Sequence, residues 1–119
     1  GQAREVGEFT LVATQVADGV DAGSLRKLTA EVRNRLGSRP GVVALFSAAD
    51  GKVSFAVATT EQARDKGLAA GKLIGHFAGE VSGRGGGKPD LAQGGGSNPA
   101  GVEQAIAALE HAVRSGAAG

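Results

Sequence analysis

GVVALFSAADGKVSFAVATT, residues 41–60, is the stretch from which the rest of the fold follows. Its first eight residues form a short continuous apolar run, the pattern of a strand buried on both faces. Ala49-Asp50-Gly51-Lys52 supplies the turn chemistry of a tight hairpin. The following KVSFAVATT alternates, with Val53, Phe55 and Val57 falling on one face. A strand buried on both sides needs helices packed on its sheet, so the hairpin asks for an α/β domain.

The flanking sequence agrees. Upstream, EFTLVATQV (8–16) alternates and is rich in Val, Thr and Phe, which predicts a strand ending before Asp18-Gly19. In DAGSLRKLTAEVRNRLG (21–37), Leu25, Leu28, Val32 and Leu36 recur at helical spacing. Asp21 or Ser24 can cap that helix and Gly37 can close it. It also carries Arg26, Lys27, Arg33 and Arg35, which read as a solvated face or as a secondary basic face along a nucleic-acid phosphate backbone. Downstream, a helix is expected over 67–81, with Ala70, Leu73, Ile74, Phe77 and Val81 as its apolar stripe. GRGGGKPDLAQGGG (83–96) follows as a glycine-rich loop with a short extended piece at 89–93. A last helix is expected from Asn98, with Pro99 at its first position, Val102, Ile106, Leu109 and Val113 buried, and Gly116 at its end. Residues 1–7 read as a linker or expression remnant, 8–116 as the domain, and 117–119 as a tail. The expectation is one compact α/β domain: a small mixed β-sheet, three packed helices and a glycine-rich loop.

At 119 residues the chain can build one core but not two. It has no Cys, Met, Trp or Tyr, which removes disulfides, thiol nucleophiles and cysteine metal sites. Phe9, Phe46, Phe55 and Phe77 all lie in apolar-patterned segments and read as core. No stretch has the length of a membrane span or the pattern of a signal peptide, so a cytoplasmic location without membrane partners is expected. The chain opens on Gly1 with no methionine, which reads as a piece of a longer protein. A formal charge of +1 is far from that of a strongly basic nucleic-acid binder. An RNA partner would have to be met by a local patch and by shape.

The glycine loop fails the two phosphate-loop templates. A P-loop needs a first glycine where Ser82 stands and a hydroxyl where Pro89 follows Lys88. The dinucleotide fingerprint, started at Gly83, meets Lys88 where its third glycine belongs. His76 and His111 fall on different helices, away from paired carboxylates at ligand spacing, and no catalytic residue, metal site or cofactor is nominated. What remains is a backbone-recognition loop. Its glycines admit close approach, Gly94, Gly95 and Gly96 lead toward a helix N-terminus, and Arg84, Lys88 and Gln93 add charge and hydrogen bonds. Tight turns and close packing account for the same glycines equally well.

GRGGGKPDLAQGGG resembles the signature loop of the C-terminal domain of alanyl-tRNA synthetase, itself related to the substrate-binding domain that accompanies DHH phosphoesterases. The resemblance extends over the early strand, the 25–36 helix, the 41–60 hairpin and the 68–81 helix. It implies a non-catalytic module of an alanine-tRNA ligase that contacts the elbow of alanine tRNA and helps coordinate aminoacylation with editing. The partners it implies are alanine tRNA, the other domains of the parent synthetase and a possible homodimer. Carried over by position, the nucleic-acid-binding residues are Gly85, Gly86, Gly87, Lys88, Gln93, Gly94, Gly95 and Gly96, with Arg84 added on electrostatic grounds. The chain lacks the Asp-His-His string of the phosphoesterases, and it lacks an adenylate-forming core. Two alternatives stay open: a dimerisation or protein-interaction module with a structural glycine loop, and the substrate-binding half of a DHH-type phosphoesterase.

Overall fold

A computed structural model describes residues 3–116. Six strands form one mixed sheet: β1 (Ala3–Val6), β2 (Phe9–Gln15), β3 (Gly41–Ala49), β4 (Lys52–Thr59), β5 (Gly83–Gly87) and β6 (Leu91–Gly96), in the spatial order β1-β2-β3-β4-β6-β5. Among the described strands only β2 and β3 run parallel; α1 (Ala22–Asn34) makes the crossover between them. The other helices are α2 (Glu61–Asp65), α3 (Ala70–Phe77) and α4 (Val102–Ser115), with 3₁₀ turns at Ala78–Val81 and Pro99–Gly101.

The 41–60 stretch does what its pattern asks. Asp50 and Gly51 both take positive φ, 53° and 76°. That is the conformation of a two-residue hairpin turn whose twist matches that of its strands. Along β3, Val42, Ala44 and Phe46 enter the core beneath α3 and α4, while Val43 and Leu45 enter a second core beneath α1. Every side chain from Val42 to Phe46 is at most 2 % exposed. The continuous apolar run thus reports a strand covered on both faces. Phe46, Phe55 and Phe77 meet in tilted and edge-on contacts that join β3, β4 and α3. Their ring centroids lie 5.8 Å apart for Phe46 and Phe55, 5.4 Å for Phe46 and Phe77, and 5.0 Å for Phe55 and Phe77.

Helix α1 is capped by Asp21, whose Oδ1 accepts from Ser24 N–H at 2.8 Å. A side-chain oxygen there satisfies one of the helix's unpaired amides. The same bond holds the Asp21 carboxyl below its usual pKa. The inward stripe of α1 is made by buried Leu25 and Thr29 and half-buried Val32, continued past the helix end by buried Leu36; Leu28, 37 % exposed, lies outside it. Thr29 lies nearer the centre of the stripe, and its hydroxyl donates to the Leu25 carbonyl at 2.7 Å. A threonine satisfied by its own helix in this way can be buried without a further partner.

The structure differs from the expected elements in four places. Residues 3–6, expected as linker, form an edge strand paired with β2 and anchored by Val6, which is 1 % exposed. Among the described residues there are four α-helices instead of three. Thr60 caps the added α2 by accepting from Ala63 N–H at 3.2 Å, and Gly67 at φ +99° redirects the chain. The helix expected over 67–81 therefore begins at Ala70, and its last turn tightens to 3₁₀. Finally, the glycine-rich segment is not a loop but the hairpin β5–β6. Residues 1–2 and the expected tail 117–119 lie outside the described residues.

Candidate nucleic-acid interface

The glycine hairpin pairs Gly83 with Gly96, Arg84 with Gly95, Gly85 with Gly94, Gly86 with Gln93 and Gly87 with Ala92. On its other side β6 pairs with β4. The main-chain groups of Gln93, Gly94, Gly95 and Gly96 therefore serve two ladders, and they do not form an anion nest leading into a helix. Most of the glycines are explained by packing. A Cβ on Gly85 would lie 2.6 Å from the Gln93 carbonyl oxygen, and one on Gly94 would lie 2.6 Å from Gly85 Cα and 2.8 Å from Phe55 Cζ. A Cβ on Gly95 would lie 2.9 Å from the Val53 carbonyl oxygen, and one on Gly83 would lie 2.6 Å from Gly96 Cα. The glycine runs let β5 and β6 settle onto β4 and the aromatic core beneath it.

Gly86 is different. A Cβ there would meet nothing within 4 Å, and its backbone is not in the positive-φ region. It sits on the outermost strand of the sheet, where residues 84–88 are all exposed. Arg84 and Lys88 flank it in sequence, and a shallow groove of about 300 Å³ beside it is lined by Gly86, Gly87, Pro89, Ala69, Gly71 and Lys72. Lys72, on α3, is a cation that the linear sequence did not single out. Gly71 was the available signal, since a Cβ at that position would stand 2.8 Å from the Gly87 carbonyl oxygen.

The Lys88-Pro89-Asp90 connection is tied down from three directions. Thr59 Oγ1 donates to the Pro89 carbonyl at 2.7 Å, and Ala70 N–H donates to the same oxygen at 2.7 Å. Arg33 Nη1 and Thr59 N–H both donate to the Asp90 carbonyl, at 3.0 and 3.1 Å. The expected basic face of α1 is thereby divided. Arg33 reaches the hairpin, Arg26 shares its side of the helix two turns earlier, and Lys27 and Arg35 point elsewhere by helical geometry. Gln93 is half-buried within β6.

Among the described residues no group of three or more His, Cys, Asp or Glu is placed to hold a metal ion, and no helix is long and apolar enough to cross a membrane. Arg84, Lys88 and the hairpin offer positive charge and exposed main chain, which suits binding to an anionic polymer.

The DHHA1 domain family model matches residues 8–115, and the chain belongs to that family. It is 66 % identical over 109 residues to the alanine–tRNA ligase of Saccharopolyspora erythraea, covering 92 % of this chain and 12 % of that protein. It is 47 % identical over 112 residues to that of Nocardia farcinica, covering 94 % and 13 %. The chain thus spans about an eighth of the curated relatives it matches. The crystal structure of the C-Ala domain from Aquifex aeolicus alanyl-tRNA synthetase superposes with a TM-score of 0.88 at 29 % identity, covering 96 % of this chain and 99 % of that one. The resemblance to the C-terminal domain of alanyl-tRNA synthetase is borne out by all three.

Proposed function

From this family membership we propose that the chain is the C-terminal, non-catalytic module of a cytoplasmic alanine-tRNA ligase, and that it binds the elbow of alanine tRNA through the β5 edge. One observation carries the reading: an exposed edge strand with an unobstructed glycine, Gly86, bordered by Arg84, Lys88 and Lys72. Folded RNA presents phosphates and 2′-hydroxyls in a fixed shape, which main-chain groups and cations on a rigid hairpin can meet. The four phenylalanines are at most 3 % exposed. An aromatic platform for stacking single-stranded bases is therefore absent among the described residues. Tying the hairpin to α1, β4 and α3 fixes its position before the RNA arrives, which lowers the entropy lost on binding. In the parent synthetase such a contact would hold one tRNA for both aminoacylation and editing.

A second reading draws on the same strand. β5 exposes one side of its backbone, and an edge strand is a template for pairing with another chain. A second copy of this chain would make a homodimer there.

The deciding experiment is an amide NMR titration of the labelled chain with unmodified alanine tRNA, with a plain RNA duplex as control. The expected result is a shift of the amides of residues 83–88, and of Lys72, with tRNA and little with duplex. Silence at those amides, together with a mass that doubles with concentration in analytical ultracentrifugation, would hand the strand to the dimer reading.

A further inference from the structure

We propose that the cleft between the end of α1 and the start of α2 holds a phosphodiester of the RNA backbone, so that the RNA footprint passes around the 88–90 turn. This rests on the RNA reading above and adds a site to it. The cleft has a volume of about 330 Å³, and its walls include Arg33, Asn34, Thr59, Glu61, Arg64 and Asp90. Both arginines are half-buried and held by neutral groups. Arg33 donates to the Asp90 carbonyl at 3.0 Å and to Asn34 Oδ1 at 3.1 Å. Arg64 donates through Nη1 to the Thr59 carbonyl and to Thr59 Oγ1.

Among the described residues neither arginine forms an ion pair with a carboxylate. Each guanidinium therefore keeps its full charge and the rest of its five N–H donors. A pair of cations already fixed in place loses little freedom when an anion arrives, and partial burial reduces screening by salt. The carboxylates of Glu61 and Asp90 limit how much negative charge the cleft accepts. Two cations and two carboxylates sum to zero formal charge, so a singly charged diester is tolerated better than a doubly charged free phosphate. The Lys88-Pro89-Asp90 turn separates this cleft from the groove beside Gly86 and Lys72, and one RNA strand crossing the turn meets both.

A role confined to tethering the turn makes a different prediction from a role in binding. We would follow the arginine Nε–Hε signals of the labelled chain while adding adenylyl-adenosine, inorganic phosphate or alanine tRNA. We would also measure tRNA affinity against salt for Arg64→Gln and Glu61→Gln. The proposal expects Arg33 and Arg64 signals to move with adenylyl-adenosine and tRNA, and to move less with inorganic phosphate. Arg64→Gln should reduce the salt slope by about one counterion, and Glu61→Gln, which leaves both arginine tethers intact, should tighten tRNA binding roughly threefold. Unchanged slope and still arginine signals, with the amides of 83–88 moving normally, would overturn the cleft and leave the RNA reading standing. Arginine signals that respond to adenylyl-adenosine but not to tRNA would overturn the cleft as part of the tRNA footprint, and the amides of 83–88 would still decide the tRNA reading. An equal or stronger response to inorganic phosphate would overturn the diester assignment.

Discussion

Gly86 and Gly94 sit on neighbouring strands of one hairpin, yet the same substitution should separate them cleanly. Alanine at Gly94 would drive a methyl into Gly85 Cα and Phe55 Cζ, at 2.6 and 2.8 Å, both fixed by the sheet and core. Overpacking of that kind costs about 1–3 kcal/mol, so Gly94→Ala should lower the denaturation midpoint without changing its slope. Alanine at Gly86 meets open space at an ordinary φ. Stability should then stay within about 0.5 kcal/mol of the parent. The extra methyl on the exposed edge should instead weaken tRNA binding several-fold. A destabilised Gly86→Ala that binds tRNA normally would show that this glycine, too, serves the fold. No property of the sequence distinguishes the two positions. A glycine in a run looks the same whether backbone, side chain or nothing stands beside it, and only the pairing partner decides.

At the scale of elements, the legible parts are those whose side chains carry a period. The β3–β4 hairpin, α1 and α4 declare themselves through branched and aromatic residues at two- or three-to-four-residue spacing. β5 and β6 do not, because a strand's alternation is written in side chains and GRGGG and QGGG have almost none to alternate. Glycine's poor strand propensity is overridden by ladders on β4 and by the fit over Phe55. β1 was hidden for another reason: of its four residues only Val6 is buried. What holds the glycine hairpin in register is its turn, and Thr59 is the side chain that commits most to it. Thr59→Val keeps the shape but removes the hydroxyl that donates to the Pro89 carbonyl at 2.7 Å. Ala70 N–H still satisfies that oxygen. The loss should therefore be about 1 kcal/mol rather than that of a buried orphan. Amide hydrogen exchange should quicken across residues 83–96 while β3 stays protected. Uniform quickening through β3 would mean that the hairpin is part of the global unfolding unit and not a tethered flap.

For the whole molecule the decisive quantity is charge. A formal +1 spread over 119 residues gives no long-range field to gather an anionic polymer, and the cations that line the proposed interface are few and local. Each phosphate neutralised contributes one modest, salt-sensitive increment, so the isolated chain should bind alanine tRNA only in the range of about 10⁻⁵–10⁻⁴ M at physiological salt. The same surface becomes effective when tethered. The chain covers 12 % of a relative such as the Saccharopolyspora erythraea enzyme; on the proposed reading, the rest of a parent of that kind would hold the same tRNA. Binding here is then intramolecular at an effective concentration near millimolar, and linkage can raise affinity by about 10²–10⁴ without any new contact. The measurement is a comparison of tRNA affinity for the isolated chain, the full synthetase and the synthetase lacking this module. Weak binding by the chain alone, with a loss of tenfold or more from the truncated enzyme, is the expected outcome. Nanomolar binding by the isolated chain would contradict the argument from charge. A truncated enzyme with unchanged affinity would mean that the module's contribution lies outside tRNA capture, and the β5 edge would then be better tested as a surface for a second copy.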